Sequence, residues 1–282
     1  MSNVLITGAS SGFGRSTAET LAKSGHTVFA TMRQPAGKNA PAAQALKAVG
    51  AHVLELDVTS DASVDRAVEA IARQTSGAVD VLFNNAGRLS AGIQEAFTLD
   101  EIKSLFETNV FGPLRMNRAV LPYMRKRRSG LLISTSSVVG RIALPILGTY
   151  AATKFALEAL ADAQRDELKA LGIDVVVIEA GAHPTEVGNN GLYPTDAVRA
   201  AEYGTASQLP GRLVERLGQI FSAPGSPSIQ DVADAVKKII ETPPGQRPAR
   251  VVVDKLTGDA VRRLNDVQAE QRPAFVAAYN LS

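Results

Sequence analysis

The side chains best placed to do chemistry together are Tyr150 and Lys154, four positions apart in the stretch 130–160, GLLISTSSVVGRIALPILGTYAATKFALEAL. On a helix, residues i and i+4 share a face about one turn apart. A free phenol ionises near pH ~10, and an adjacent cation favours the phenolate and pulls that value down. A tyrosine tuned in this way can give and take a proton near neutral pH, as a general acid or base must. The four-letter spacing alone occurs by chance in many helices. Its setting is rarer: the apolar run Leu131, Leu132, Ile133 opens into Ser134, Thr135, Ser136 and Ser137 before the Tyr-x-x-x-Lys segment begins a helix.

Those residues need a scaffold, and composition bounds it. The chain has 282 residues, 45% of them hydrophobic, and no long Pro/Gly/Ser linker. One domain spanning 1–282 is expected, long enough for a sizeable core. Mean hydropathy is +0.02. No apolar run approaches the ~18 residues of a membrane span, and the first residues enter a strand pattern at once, so neither a membrane segment nor a signal peptide is expected. The absence of Cys excludes disulfides and thiolate metal sites, which suits a cytoplasmic protein. With 30 basic and 28 acidic residues, the net charge of +2 gives no reason to expect nucleic acid or an anionic membrane as partner. The basic run 125–128 closes an apolar-periodic helix, where cations are favourable. His26, His52 and His183 are scattered, so no metal site is expected.

Along the chain, Val4, Leu5 and Ile6 lead into Thr7-Gly8-Ala9-Ser10-Ser11-Gly12-Phe13-Gly14, and Ala18, Leu21 and Ala22 then keep helical spacing. Strand, glycine turn and helix form a phosphate-binding unit: glycines admit a close backbone approach, and the helix start offers unpaired N–H groups and a positive dipole end. Residues 26–31 read as a second strand. A site for NAD would place an acid near its end, but the chain has Thr31, Met32 and Arg33. Arg33 could pair with a 2′-phosphate through its fork of donors, with Ser11 adding a hydroxyl. That favours NADP(H) over NAD(H).

Further strands are expected at 52–56, 79–83, 130–137, 173–178 and 250–253. Helices are expected at 60–71 (with Ser60 as N-cap), 98–124, 148–171 and from Ser228, a capping-box residue, to 241. This alternation argues for an α/β fold: a Rossmann-like doubly wound parallel sheet of about seven strands with helices on both faces. Ligands sit at the carboxyl ends of such strands, where Asp57, Val58, Asn84, Asn85, Ala86 and Gly87 fall. Residues 186–228 form the least regular stretch, rich in Pro and Gly and including Asn189. A loop of that length reads as a substrate lid. The C-terminal extension from about 258 reads as helical and charged.

In this order the chain resembles the short-chain dehydrogenase/reductase family, in its compact single-domain branch. The resemblance rests on Thr7-Gly8-x-x-x-Gly12-x-Gly14, Asp57, Asn84-Asn85-Ala86-Gly87, Asn109, Ser137 and Tyr150-x-x-x-Lys154. It implies hydride transfer between a nicotinamide dinucleotide, here NADP(H), and a carbonyl or alcohol carbon. It selects Ser137 among the four hydroxyls as the residue holding the substrate oxygen. It makes Tyr150 the acid–base and Lys154 its partner and ribose contact, with Asn109 supporting a proton relay. By resemblance Asp57 bonds the adenine, Gly181 and Thr185 contact the carboxamide, and the chain forms a homodimer or homotetramer. One departure is Ala180, where the family has Pro; loss of that restraint leaves the following loop less constrained. Val138, Val139, Ile142, Leu144, Ile146 and Leu147, with Leu192 and Tyr193 of the lid, make an apolar wall and suggest an apolar ketone or alcohol. The competing reading is a dinucleotide-sensing binding protein of the same fold that does not turn over.

Overall fold

The computed structural model describes residues 1–188 and 190–281; Asn189 of the expected lid lies outside them. Seven parallel strands form one sheet in the order β3-β2-β1-β4-β5-β6-β7. They are β1 (Asn3–Ile6), β2 (Thr27–Met32), β3 (His52–Glu55), β4 (Val81–Asn84), β5 (Gly130–Ser137), β6 (Ile173–Ala180) and β7 (Arg250–Val253). The order reverses at β1, the switch point at which such sheets bind ligands.

Strand side chains alternate between two cores, as a period of two requires. Val4 and Ile6 join Phe83, Ile133 and Ile178 on one face. Leu5 joins Leu82, Leu132 and Val177 on the other. The first face is covered by α1 (Gly12–Lys23), α2 (Ala40–Ala48) and α9 (Ile229–Glu241) through Leu21, Leu46 and Val236. The second is covered by α3 (Asp61–Gln74), α5 (Gly112–Arg127) and α6 (Gly148–Lys169) through Ile71, Met116 and Ala161. Each Leu or Ile so buried contributes about 1.5–3 kcal/mol. Helix α2 was not expected, because its run of Ala and its Pro41 give weak periodicity.

Several local expectations hold. Ser60 accepts from Ser63 N at the start of α3, and Ser228 and Asp231 form a capping box on α9. The basic run 125–128 is the solvated end of α5.

Two expectations are corrected. The single helix at 98–124 is α4 (Leu99–Phe106), a π-helical turn (Glu107–Phe111) and then α5. Pro113 has no N–H to give the carbonyl of Asn109, so regular i→i−4 bonding cannot pass this point. A Cβ on Gly112 would also lie 2.9 Å from Val58 Cγ2. Such turns occur frequently at functional sites. The stretch 186–228 is largely helical: it holds α7 (Ala197–Ala201), a short 3₁₀ turn (Gly204–Gln208) and α8 (Leu209–Ser222). Pro210 reads as a breaker but stands in the first turn of α8, where a missing N–H costs nothing. The last helix is α10 (Gly258–Ala277).

Among the described residues no helix is long and apolar enough to cross a membrane.

The close approach at Gly112 is open to test. Gly112→Ala is expected to cost about 1–3 kcal/mol, seen as a lower urea midpoint with unchanged slope. An unchanged midpoint would contradict the packing described.

Candidate active site

The candidate residues come from the carboxyl edge of the sheet: the glycine loop after β1, the ends of β2 and β3, the loop after β4, the π turn, the junction of β5 with α6 and the loop after β6. The glycine loop is held from behind. Thr7 Oγ1 accepts from the N–H groups of Asn85 and Ala86, both at 3.0 Å. Asn85 Nδ2 donates to the carbonyls of Thr7 at 2.9 Å and Gly8 at 3.1 Å. The side-chain donor of Asn85 is thus spent on the loop itself, and its place here is framework. Gly8 has φ +67° and a Cβ there would meet Ala86 Cα at 2.9 Å, so only glycine fits.

The start of α1 is left open. Ser11 makes no side-chain cap and the first turn carries no acid. Its unpaired N–H groups and positive dipole end suit a pyrophosphate, with Ser10, Gly12, Phe13 and Gly14 around them.

Other candidates surround this loop. A Cβ on Gly12 would stand 3.6 Å from Thr185, which places the loop after β6 against it. Gly181 N donates to Val253 O at 2.9 Å. Ala180 pairs with Ser137 and Val253, so β6 runs two residues further than the expected 173–178. His183, which was assigned no role, is buried and meets Phe13 edge to face, centroids 5.1 Å apart. It packs the β6 loop onto the glycine loop. Asp57 Oδ1 accepts from Thr59 N at 2.9 Å and Thr59 Oγ1 at 2.7 Å, closing its own turn. Val58 is buried, and its carbonyl accepts from Arg115. Arg33 is exposed, and its guanidinium has no ion pair among the described residues. The neighbouring strand brings an acid to the same corner: Glu55 stands in register with Met32 and accepts from Gln34 N at 3.3 Å.

The four polar groups singled out for chemistry converge. Ser137 ends β5, its hydroxyl accepts from Val139 N at 3.3 Å, and it lies close enough to the Tyr150 phenol to favour its ionised form. Lys154 follows one turn along α6, is 5% exposed, and donates from Nζ to Thr135 O at 2.7 Å. Nζ lies 5.5 Å from the centroid of the Tyr150 ring. A Cβ on Gly87 would reach Lys154 Nζ at 3.8 Å and Asn109 Oδ1 at 3.4 Å, so the loop after β4 joins the same group. Asn109 is buried in the π turn. It accepts from Arg88 N at 2.8 Å and donates to Arg88 O at 2.8 Å and Thr153 Oγ1 at 3.1 Å. Its side chain therefore anchors the β4 loop. Pro113, lacking an N–H, cannot bond the Asn109 backbone carbonyl. Of the remaining hydroxyls, Thr135 contributes only its carbonyl, a role that the sequence does not signal.

One electrostatic expectation is corrected. Burial pushes the Tyr150 phenol up to about 12, with Ser137 acting the other way. Burial also lowers Lys154 to about 8, opposed by Glu158. In the protein alone, desolvation is the largest influence on both groups.

Residues that follow Asn189 pack beside this group. Leu192 N donates to Leu89 O at 2.8 Å and Ala91 N to Leu192 O at 3.2 Å. Leu213 of α8 packs against an apolar cluster formed by Val139, Leu147 and Ala151, with Tyr150 at its margin. Tyr203 OH donates to Glu95 Oε2 at 2.5 Å.

Sheet order and site geometry define the class, a Rossmann-type oxidoreductase. The family model described as short chain dehydrogenase matches residues 2–192, and the chain belongs to that family. It is 40% identical over 190 residues to 3-ketodihydrosphingosine reductase of Bacteroides thetaiotaomicron, covering 66% of each chain. That is just under two thirds of the relative's length. It is 34% identical over 268 residues to human retinol dehydrogenase 8, covering 90% of this chain and 83% of that one. A solved short-chain dehydrogenase from Streptomyces avermitilis superposes with a TM-score of 0.78 at 32% identity, covering 100% and 98% of the two chains. Among other solved structures of this fold, one holds NADP+ and another NAD.

Ultraviolet titration of the cofactor-free protein checks the electrostatics. The Tyr150 phenol is expected to stay neutral through the pH range in which an ordinary phenol ionises, and to titrate at about 12. Phenolate absorbance appearing near neutral pH, and lost in Tyr150→Phe, would contradict the raised phenol.

Proposed function

We propose that the protein is an NADP(H)-dependent oxidoreductase that interconverts an apolar ketone or aldehyde and its alcohol. The observation that carries this reading is the convergence of Ser137, Tyr150, Lys154 and Asn109 beside a glycine loop whose helix start is uncapped. A bound nicotinamide dinucleotide supplies or accepts the hydride. This chain's residues handle orientation and the proton. Ser137 holds the substrate oxygen by a hydrogen bond. Tyr150, half-buried and a neutral phenol in the protein alone, gives its proton to that oxygen in reduction and takes it back in oxidation. Lys154, anchored on Thr135 O, favours the phenolate as it forms. Asn109 supports a path for the replacement proton. Around the dinucleotide, the reading keeps Gly8, Ser10, Ser11, Gly12, Phe13, Gly14, Val58, Ala86, Gly87, Gly181 and Thr185 as contacts, Asp57 at the adenine and Asn85 as support for the loop.

The preference for NADP(H) rests on Arg33, unpaired and exposed at the end of β2, with Glu55 as the opposing charge at that corner. The apolar substrate class is supported by the seat of Leu213 beside Val139, Leu147 and Tyr150. It is supported too by two relatives, one named for 3-ketodihydrosphingosine and one for retinol. Residues 1–282 act in this reading as one catalytic unit, with 186–228 as lid and the segment from 258 as an extension. A homodimer or homotetramer suits Phe111 and Phe155, which are 47% and 43% exposed near and on the long helices. A chain without cysteine suits the cytoplasm. The binding-protein alternative fits less well, since all four groups are present and lie in one region of the sheet edge.

Two substitutions test the reading. Tyr150→Phe is expected to lower kcat by about 10²–10⁴-fold while leaving NADPH binding, measured by fluorescence, intact; ordinary turnover would sink the mechanism. Arg33→Ala is expected to weaken NADPH much more than NADH by isothermal titration, and equal losses would remove the cofactor preference.

A further inference from the structure

On α6 the spacing that joins Tyr150 to Lys154 continues for two more turns, to Glu158 and Asp162. Both carboxylates are buried, 2% and 7% exposed. A buried carboxylate is costly unless it is paired, and a single arginine of β7 pairs both. Arg250 Nε donates to Glu158 Oε2 at 2.9 Å, and its Nη2 to Asp162 Oδ2 at 2.7 Å. Other charges face the same space. Glu179 of β6, fully buried, lies 3.4 Å from Arg250 Nε and 3.8 Å from Arg141 Nε. Arg165 of α6 donates to Asp162 Oδ1 at 2.6 Å.

The far wall is α10. Asn265 donates to Glu179 Oε2 at 2.5 Å, Gln268 to Asp162 Oδ2 at 2.7 Å, and Arg272 pairs with Asp166 at 2.5 Å. Arg141 Nη2 donates to Gln268 Oε1 at 2.5 Å. Glu158 Oε1 and Glu179 Oε1 have no hydrogen-bond partner among the described residues. A buried ionic cluster of this kind often adds no stability over apolar packing. Its position on the same face as the site points to another use.

We propose that Glu158 is a positioning residue for the proton chemistry: fixed by Arg250 one turn beyond Lys154, its carboxylate holds the Lys154 ammonium in the charged form, and α10 keeps the cluster assembled. Of the groups around Lys154, Glu158 is the one whose charge opposes the effect of burial. Glu179 is pushed up to about 7, first by its own burial and then by the nearby charge of Glu158. The C-terminal helix thereby acquires a function: it completes the shell that sets the charge beneath the active site. The inference rests on the reading of Tyr150 and Lys154 as the proton-handling pair, but its test needs no turnover.

The test is carbon-13 NMR of lysine labelled at Cε, with the Lys154 resonance identified by its loss in Lys154→Met. In the unmodified protein Lys154 is expected to titrate near about 8. Glu158→Gln keeps the shape and removes the charge. It should lower that midpoint by about half a unit or more, roughly a threefold loss of proton affinity. Glu158→Asp, which keeps the charge, should stay above the Gln variant. Asn265→Ala, at the half-exposed edge of the cluster, should move the midpoint in the same direction by less. It serves as the readout if Glu158→Gln does not fold. An unmoved Lys154 midpoint in the folded variants overturns the proposal. A lowered midpoint in a protein that reduces no carbonyl supports the coupling and faults only the functional reading.

Discussion

The structure turns on an ammonium held inside the protein. Lys154 Nζ is bonded to the carbonyl of Thr135 and shielded from water. Burial penalises the charged form, so the surroundings must compensate at every side. That demand fixes how β5 and α6 meet. A Cβ on Gly140 would stand 2.7 Å from Ser136 Oγ and 3.1 Å from Lys154 Cβ, so the turn after β5 can press against α6 only as glycine. The same crossing sets Ser137 against Tyr150.

Around that crossing, backbone is held by side chains that do no chemistry. Thr7 and Asn85 lock the glycine loop to the loop after β4. Asn109 grips both backbone groups of Arg88, and the π turn that carries it exists because Pro113 interrupts the regular bonding. Each clamp acts on a loop at the carboxyl edge of the sheet, where backbone groups would otherwise be free to move. Rigid loops are what a hydride transfer requires, since small misplacements of the reacting groups cost much of the rate.

The sheet was legible because its signals are local. Valine and isoleucine runs, glycine punctuation and strand–helix alternation give seven strands and their order of appearance, and β5 and β7 have the expected bounds. The pair Tyr150 and Lys154 stood out by residue type and spacing, whereas Ser137 was singled out among four hydroxyls only by the family resemblance. The site was not legible where the contact is made by backbone or over long separations. Nothing near Thr135 says that its carbonyl will hold Lys154, and nothing near Asn265 or Arg250 points to Glu158. Reading Asn109 within one long helix missed the π turn, although Pro113 was the signal for it. Spacing puts Lys154 beside Tyr150 but says nothing of the burial that raises the phenol in the protein alone. Pro210 and the glycines of 186–228 misled because position within a helix decides what a proline does.

The most direct measurement of the central claim is isotopic. NADPH deuterated on the transferred face of the nicotinamide would be incubated with the protein and a set of long-chain ketones and retinoid aldehydes, and the products read by mass spectrometry and proton NMR. The account predicts an alcohol carrying one deuterium on the former carbonyl carbon, with the hydroxyl proton drawn from solvent. NADPH consumption that yields alcohol without deuterium at that carbon, or no alcohol from any of these carbonyls, would contradict it.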